Sequence, residues 1–295
     1  MTGHRIQALL AMIALTIVVS PALAEKKIKA LIVDGANNHG VWPQTTKMMK
    51  RYLEETKLFT VDVATRKQRG RDPEYKPAFD KYKVVISNYN GPAWPAATKK
   101  AFVSYMKNGG GFVVVHAANN AFGRWKEYNE IIGLGGWGGR NEKSGPYVYI
   151  NAKGELKRDE SKGRGGNHGP QHPFQIIVRN SDHPVTKGMP TSWMHSRDEL
   201  YDLLRGPAEN MTILATAFAA KSKGGRGRHE PMIFTVTYGK GRVFHTPMGH
   251  GIVSQRCAGF IATLQRGAEW AATNKVTQKI PKDFPSSDKV TLRKK

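Results

Sequence analysis

The side chains best suited to chemistry in this 295-residue sequence are histidines and a pair of adjacent carboxylates. They are His116, His183, Asp198, Glu199, His245 and His250. Histidine nitrogens and carboxylate oxygens bind zinc or manganese, and a catalytic site keeps one coordination position open. The same groups, without a metal, transfer protons as general acids and bases. These residues include no His-x-x-x-His pair, so their spacing leaves both chemistries open.

Each position also has a structural explanation. His116 follows three valines at a predicted strand end, where α/β enzymes place catalytic groups, but a histidine there can simply hydrogen-bond a loop. His183 precedes a proline and fits a turn, and Asp198-Glu199 can start a helix or stay solvated. His245 ends a predicted strand and can face either way. His250 lies between two glycines, which let a ligand approach the backbone and favour a functional role.

Several common catalytic signatures are excluded. Residues 35–40 lack the Gly-Lys-Ser/Thr ending of a phosphate-binding loop, and residues 133–139 do not open a βαβ unit as a dinucleotide fingerprint does. No Gly-x-Ser-x-Gly elbow occurs. Cys257 is the only cysteine, which excludes an intramolecular disulfide and Cys₄ or Cys₂His₂ zinc sites; its helical context predicts a core position.

The elements that must position these groups alternate between apolar strands and amphipathic helices. Residues 28–33, 84–87 and 112–115 are predicted buried strands, with helices near 45–56 and 98–107 between them. This pattern predicts an α/β fold with a doubly wound, mostly parallel sheet, whose site lies beyond the carboxyl ends of the strands. The loops after the first two strands carry polar side chains that we predict bind substrate, namely Asn37, His39 and Asn90.

The second half of the chain is less regular. Residues 133–169 are rich in glycine and basic residues, and we interpret them as an insertion that serves as a functional loop or lid. Residues 232–245 predict a β-hairpin near the C-terminal end, and a helix over about 253–273 closes the domain of residues 25–274. Residues 275–295 predict a loose basic tail.

Aromatic residues lie near the predicted loops and suit the faces of sugar rings. They are Trp42, Tyr89, Trp94, Trp125, Trp137 and Trp193. The alternative is that tryptophans fill the core, and we expect this for at least half of them. Among the aromatics we predict that Trp125, Trp193 and Tyr201 bind substrate, together with His183.

The N-terminus and the overall charge bear on location and partners. Residues 1–24 have the basic start, apolar stretch and Ala-Leu-Ala ending of a cleaved signal peptide, and the alternative is an uncleaved anchor. The net charge is +23, and removal of Arg5 with that segment leaves +22. We expect an exported protein, periplasmic or extracellular, with no membrane span in the mature chain. Its partner would be a carbohydrate or an acidic glycan, and nucleic acid is disfavoured.

Three blocks of sequence resemble the ThuA-like (trehalose utilisation) family, in the order the family has them. The first is residues 110–118, Gly-Gly-Phe-Val-Val-Val-His-Ala-Ala. The second runs from Ser181-Asp182-His183-Pro184 to Asp198-Glu199-Leu200-Tyr201. The third joins residues 238–244, Tyr-Gly-Lys-Gly-Arg-Val-Phe, to Gly249-His250. Together they span most of residues 28–272.

The resemblance implies a flavodoxin-like domain akin to class I glutamine amidotransferases. Those enzymes place a nucleophilic cysteine after the central strand, whereas this chain has His116 near that position, which argues against amidotransferase chemistry. The family is linked to the use of trehalose and related disaccharides, with 3-keto-sugars as suggested intermediates.

The function we expect is processing of a glycoside or keto-sugar by acid/base chemistry, with or without a metal. Glu199 would be the base or a metal ligand, His116 and His250 would be ligands or proton shuttles, and Asp198 would orient them. The possible metal ligands are thus His116, Glu199 and His250, for zinc or manganese. A non-catalytic protein that binds carbohydrate or a polyanion is the alternative.

Overall fold

The computed structural model describes residues 27–294. The predicted signal peptide, residues 1–24, lies outside the described residues. Among the helices that are described, none combines the length and the apolar character needed to cross a membrane.

The described chain alternates strands and helices in its first third and is mainly strand thereafter. The strands are β1 (Ile28–Asp34), β2 (Phe59–Thr65), β3 (Val84–Ser87), β4 (Gly111–Val115), β5 (Tyr147–Ile150), β6 (Leu156–Asp159), β7 (Asn167–His168), β8 (His172–Val178), β9 (Ser192–Asp198), β10 (Tyr201–Asp202), β11 (Met211–Ala219), β12 (Arg228–Tyr238) and β13 (Gly241–Thr246). The helices are α1 (Trp42–Glu55), α2 (Ala96–Lys107), α3 (Lys126–Ile132), α4 (Ile252–Gln255) and α5 (Ala258–Thr273).

The main sheet has a parallel half and an antiparallel half. Its strand order is β2-β1-β3-β4-β13-β12-β11-β8-β9, and the pairs from β2 to β13 are parallel. The first five strands have the 2-1-3-4-5 order of flavodoxin-like folds. β12 and β13 form the predicted hairpin. The predicted α/β class, flavodoxin-like sheet and hairpin are confirmed, and strands β12, β11, β8 and β9 add an antiparallel extension.

Helices cover both faces of the parallel half, because alternate side chains of each buried strand point in opposite directions. In β1, Ala30 and Ile32 pack with side chains of α1 and α5 on one face. Leu31 and Val33 pack with side chains of α2 and α3 on the other. Burying one such aliphatic side chain contributes about 1.5–3 kcal/mol, so the two cores hold the strand ends, and the loops that follow them, in fixed positions.

The segment after α5 packs against the domain, contrary to the loose tail expected from its basic composition. Phe284 lies against the ring of Trp193, with ring centroids 5.3 Å apart. The backbone N–H of Met194 donates to the carbonyl of Ser286 over 2.7 Å, so the segment supplies an acceptor for strand β9. Arg293 pairs with Asp283 over 2.8 Å. Apolar packing of Phe284 and the backbone hydrogen bond of Ser286 therefore order this segment in spite of its net positive charge.

The glycine-rich insertion is held by two buried arginines. Arg140 donates to the carbonyls of Asn120, Ala121 and Gly136 at 2.8–3.1 Å and to the side chain of Asn129. Its counterpart Arg205 donates to the carbonyls of Gly145, Ser161 and Gly163 at 2.8–3.0 Å. Residues 147–150 of the insertion form strand β5. The insertion is therefore an ordered wall, fixed by hydrogen bonds from its interior.

Candidate functional site

Four loops bring one polar side chain each to the edge of the sheet. His39 follows β1, His116 follows β4, Glu199 follows β9 and His250 follows β13. Because β1, β4 and β13 are parallel, their carboxyl ends meet at one edge, where α/β folds place their sites. The flavodoxin-like part of the sheet thus supplies three histidines, and β9 of the antiparallel part supplies the carboxylate.

These four side chains form one compact cluster. One ligand atom from each of His39, His116, Glu199 and His250 lies within 4.8 Å of every other. His250 Nε2 is 3.1 Å from Glu199 Oε1, and His116 Nε2 is 3.5 Å from Glu199 Oε2. The cluster faces a cavity of about 340 Å³ whose lining includes His39, Glu199 and Tyr201. Three imidazoles and a carboxylate at this separation are a donor set for a first-row divalent metal.

His116 is held in an unusual backbone conformation and in one tautomer. Its φ of 47° is left-handed, a region that a residue with a side chain enters only where the surroundings enforce it. Nδ1 lies 2.6 Å from the carbonyl oxygen of Pro247, which can only accept, so Nδ1 carries the proton. In the neutral ring, Nε2 therefore has its lone pair directed at the cluster.

Asp198 is buried beside the cluster and fixes two of its members through the backbone. Its carboxylate accepts hydrogen bonds from the N–H groups of Glu199, Gly249 and His250 at 2.7–3.1 Å. His195 Nε2 lies 2.8 Å from Asp198 Oδ2, and both side chains are fully buried. Asp198 thus connects the loop after β9 to the loop after β13, and it is not among the residues that line the cavity.

The protonation states suit metal binding. Burial raises the pKa of the Glu199 carboxyl, but the adjoining His116, then His250 and His168, outweigh it and lower that pKa below its ordinary value. Burial, followed by repulsion from His116 and His250, lowers the pKa of His39 to about 4. Burial and His116 also lower the pKa of His250. At neutral pH Glu199 is ionised while His39 and His250 are neutral, the forms that coordinate a metal.

Glu199 also offers an uncommitted atom. Its Oε2 is buried and accepts no hydrogen bond from residues 27–294. A buried carboxylate oxygen without a donor is costly, and a cation at the cluster would satisfy it. This observation fits a metal site better than it fits a purely structural ion pair.

The structure brings three of the seven predicted substrate-binding residues to this cavity and places a fourth behind them. His39, Asn90 and Tyr201 line it. Asn37 supports His39, because its side-chain oxygen accepts the His39 backbone N–H over 3.0 Å. The Tyr201 hydroxyl lies 2.9 Å from His116 Nε2 and donates to it in the neutral tautomer.

Three predicted substrate-binding residues lie elsewhere. Trp193 is fully buried against Phe284. Trp125 packs in the aromatic core, with its ring centroid 6.1 Å from that of Trp94. His183 lies 4.9 Å from the ring of Trp270, and its Nδ1 accepts the backbone N–H of Val185, which is the turn role weighed as its alternative. These three assignments are corrected: the residues stabilise the core and a turn.

His245, the remaining candidate from the sequence, is also structural. It is buried, its Nδ1 donates to the carbonyl of Ile132 over 2.9 Å, and its ring lies 4.2 Å from that of Phe234. Burial lowers its pKa to about 3, so it stays neutral and connects β13 to the end of α3.

Sequence reasoning missed one residue from the insertion and one from the turn after β4. These are His168 and Asn120, which line the cavity together with Trp137, one of the aromatics considered for sugar rings. His168 Nε2 is 3.7 Å from Glu199 Oε2. The motif Gly166-Asn167-His168-Gly169 carried the same glycine-flanked pattern that favoured His250. His39 was predicted to bind substrate, and the structure adds it to the possible metal ligands.

Comparison with known proteins agrees with this architecture. The family model for ThuA, trehalose utilisation, matches residues 29–271. A ThuA-like protein from Parabacteroides merdae ATCC 43184 is 47% identical over 91% of this chain and 98% of its own, with a TM-score of 0.88. A ThuA-like protein from Bacteroides uniformis ATCC 8492, 22% identical over 88% of this chain and 97% of its own, shares the fold with a TM-score of 0.58. Among curated proteins there is no match. Because the family model covers most of the chain, this protein belongs to the ThuA (trehalose utilisation) family.

Proposed function

We propose that this protein is an exported enzyme that processes a glycoside or keto-sugar with the help of a divalent metal, zinc or manganese. Membership of a trehalose utilisation family supports a carbohydrate-related role. The observation that carries the proposal is the cluster of His39, His116, Glu199 and His250 at the edge of the cavity. Export rests on the sequence pattern of residues 1–24.

In this proposal the three histidines and Glu199 hold the metal. When bound, the metal would act as a Lewis acid that polarises a substrate oxygen. The reaction next to a ketone also requires a base for the adjacent C–H proton, and a sugar in the cavity meets His168 and Tyr201 as well as the cluster. Trp137 and the side-chain amides of Asn90 and Asn120 would exclude water and orient hydroxyl groups.

Tyr201 lets His116 bind either a proton or a metal. Its O–H donates to the Nε2 lone pair that a metal would need. Asn120 Nδ2 donates to the same hydroxyl over 3.4 Å, and Asn120 Oδ1 has no donor among the described residues. An Asn120 amide turned over, with its oxygen and nitrogen exchanged, would accept from Tyr201 and release His116.

A metal-free version of the same chemistry has its own supporting observation. Tyr201 Oη and Glu199 Oε2 lie 2.9 and 3.5 Å from the same His116 Nε2, so His116 can take a proton from Tyr201 beside the Glu199 carboxylate. Here Glu199 would hold the charge that develops on His116. The two versions differ in one measurable property, the metal content of the protein.

The test is the metal content of the purified full-length protein by elemental mass spectrometry. Wild type is compared with His116→Ala and Glu199→Gln, and with His229→Ala as a matched histidine on β12 outside the cluster. We expect a near-stoichiometric transition metal in wild type and His229→Ala, and its loss in the two cluster variants. Absence of metal after reconstitution with zinc and manganese salts would reject the metal-assisted reaction. The metal-free proton transfer between Tyr201 and His116 would then remain.

A further inference from the structure

A second cavity, of about 620 Å³, lies beside the candidate site. Each cavity is lined by residues near the ends of strands β7 and β10, but the two cavities share none of them. His168 and Tyr201 face the first, whereas Arg164 and Leu203, only a few residues away along the chain, face the second. The second cavity has the size of a small-molecule pocket.

The lining of this second cavity is strongly basic. Lys162, Arg164, Arg226 and Arg228 line it, against one acidic residue, Asp159. Within the part of the chain that the structure describes, Lys162, Arg164 and Arg226 form no ion pair. A concave surface with this excess of positive charge attracts an anion.

Arg228 is held rigidly in the wall of the cavity. Its guanidinium carbon lies 3.8 Å from the ring centroid of Tyr149. Nε donates to Glu230 Oε1 over 2.6 Å, and Nη1 is 4.0 Å from Asp159 Oδ2. A guanidinium fixed by stacking and by two ion pairs loses little entropy when it binds a further acceptor.

Arg228 nevertheless has a donor left over. Its Nη2 is buried and has no acceptor among residues 27–294. Buried guanidinium N–H groups are normally paired, so this Nη2, on a residue that lines the cavity, indicates that an acceptor belongs there.

We propose that this basic pocket binds a sugar unit that carries an oxyanion, either a carboxylate or a phosphate. Arg228 supplies the buried donor, and Arg164, Arg226 and Lys162 supply the field that draws the anion in. The tyrosine, asparagine and serine side chains of the wall offer partners for sugar hydroxyls. That the ligand is a sugar rests on the proposed function, whereas the requirement for an oxyanion rests on the arginines alone.

The experiment is isothermal titration calorimetry of the full-length protein with defined probes at millimolar concentration. The probes are D-glucuronic acid, D-glucose 6-phosphate, neutral D-glucose and inorganic phosphate. The variants are Arg164→Gln and Arg226→Gln, which are exposed and should fold normally, with Arg69→Gln as an exposed arginine after β2 and outside the pocket. We expect one or both anionic sugars to bind, glucose to bind at least tenfold more weakly, and each pocket variant to weaken binding about tenfold.

Each alternative result has a distinct meaning. Equal binding of glucose, equal losses in Arg69→Gln, or no binding of any anion would overturn the proposal. If inorganic phosphate binds as tightly as both anionic sugars, the pocket recognises the oxyanion alone, and the assignment of a sugar ligand is overturned. Glu199→Gln should keep full affinity for the anionic sugar. Failure of the metal-assisted reaction would therefore not affect the anion-binding result, and failure of anion binding would not affect the metal-assisted reaction.

Discussion

The parallel half of the sheet and the glycine-rich insertion form facing parts of one cavity by different physical means. The parallel strands hold His39, His116 and His250 through two apolar cores. The insertion holds Trp137 and His168 through the guanidinium groups of Arg140 and Arg205. A substitution in an apolar core that conserves volume costs little stability. Substitution of a buried arginine removes several directed hydrogen bonds at once. The parts of the site that are held by the sheet and by the insertion should therefore respond differently to mutation.

The largest expected effect is on the reaction itself. Glu199→Gln keeps the shape of the side chain and removes its charge, so we expect turnover of the cognate sugar to fall by about 10²–10⁴-fold. His229→Ala should keep wild-type turnover. Equal turnover in wild type and in a folded Glu199→Gln would remove Glu199 from the mechanism.

The next effect separates the two parts of the site. Arg140→Met removes the donors to five acceptors in the turn after β4, in α3 and in the insertion, and we expect it to lower the free energy of unfolding by about 3 kcal/mol. Val114→Ala, in the buried centre of β4, should cost about 2 kcal/mol.

The two variants should also differ in where the structure opens. Hydrogen exchange should show Arg140→Met opening residues 133–169 while β4 stays protected, and Val114→Ala weakening protection across the parallel strands. Uniform loss of protection in both variants would show that the insertion and the sheet unfold as one unit.

A smaller effect concerns the support beneath the cluster. Burial opposes the charge of His195, but Cys257 and Asp198 raise its pKa to about 9, while the pKa of Asp198 is lowered by His195 against burial. The stabilisation from His195 is therefore complete below pH 6.5 and is lost as the pH rises through about 9. The stabilisation from Asp198 is present above pH 3.8 and is lost below it.

We therefore expect His195→Gln to lower stability by about 2 kcal/mol between pH 4 and 6.5, with the difference from wild type narrowing towards pH 9. Thermal melts across this pH range measure it, and His229→Gln serves as the matched substitution. A difference that stays constant with pH would show that His195 acts by packing alone.

The strands and helices of the parallel half could be predicted because each depends on short-range patterns. Aliphatic side chains are dense enough to predict buried strands from the sequence at residues 28–33, 84–87 and 112–115. The break between α4 and α5 is bonded to residues 291–293, and residue 286 is bonded to β9, which are contacts that no local pattern encodes. The insertion was recognised as a segment, but the bonds from Arg140 and Arg205 that order it connect residues far apart in sequence.

The candidate site was predictable in its residue types more than in its geometry. Strand ends and flanking glycines identified His116 and His250, and the adjacent carboxylates Asp198 and Glu199 identified Glu199. Trp125 and Trp193 were misassigned because an aromatic residue beside a loop can point into the core as readily as into a cavity. His168 was missed because its position opposite Glu199 arises only from the pairing of β7 with β10.

The four members of the cluster come from widely separated parts of the chain, with His39 near one end of the described residues and His250 near the other. An unfolded chain cannot assemble them, so any ion they hold is bound by the folded state alone. Such an ion would link distant parts of the domain. At a free metal concentration one hundred times its dissociation constant, it would add about 2.7 kcal/mol to the free energy of unfolding. Availability of the metal in the surroundings would then set how long each molecule survives, as well as whether it works.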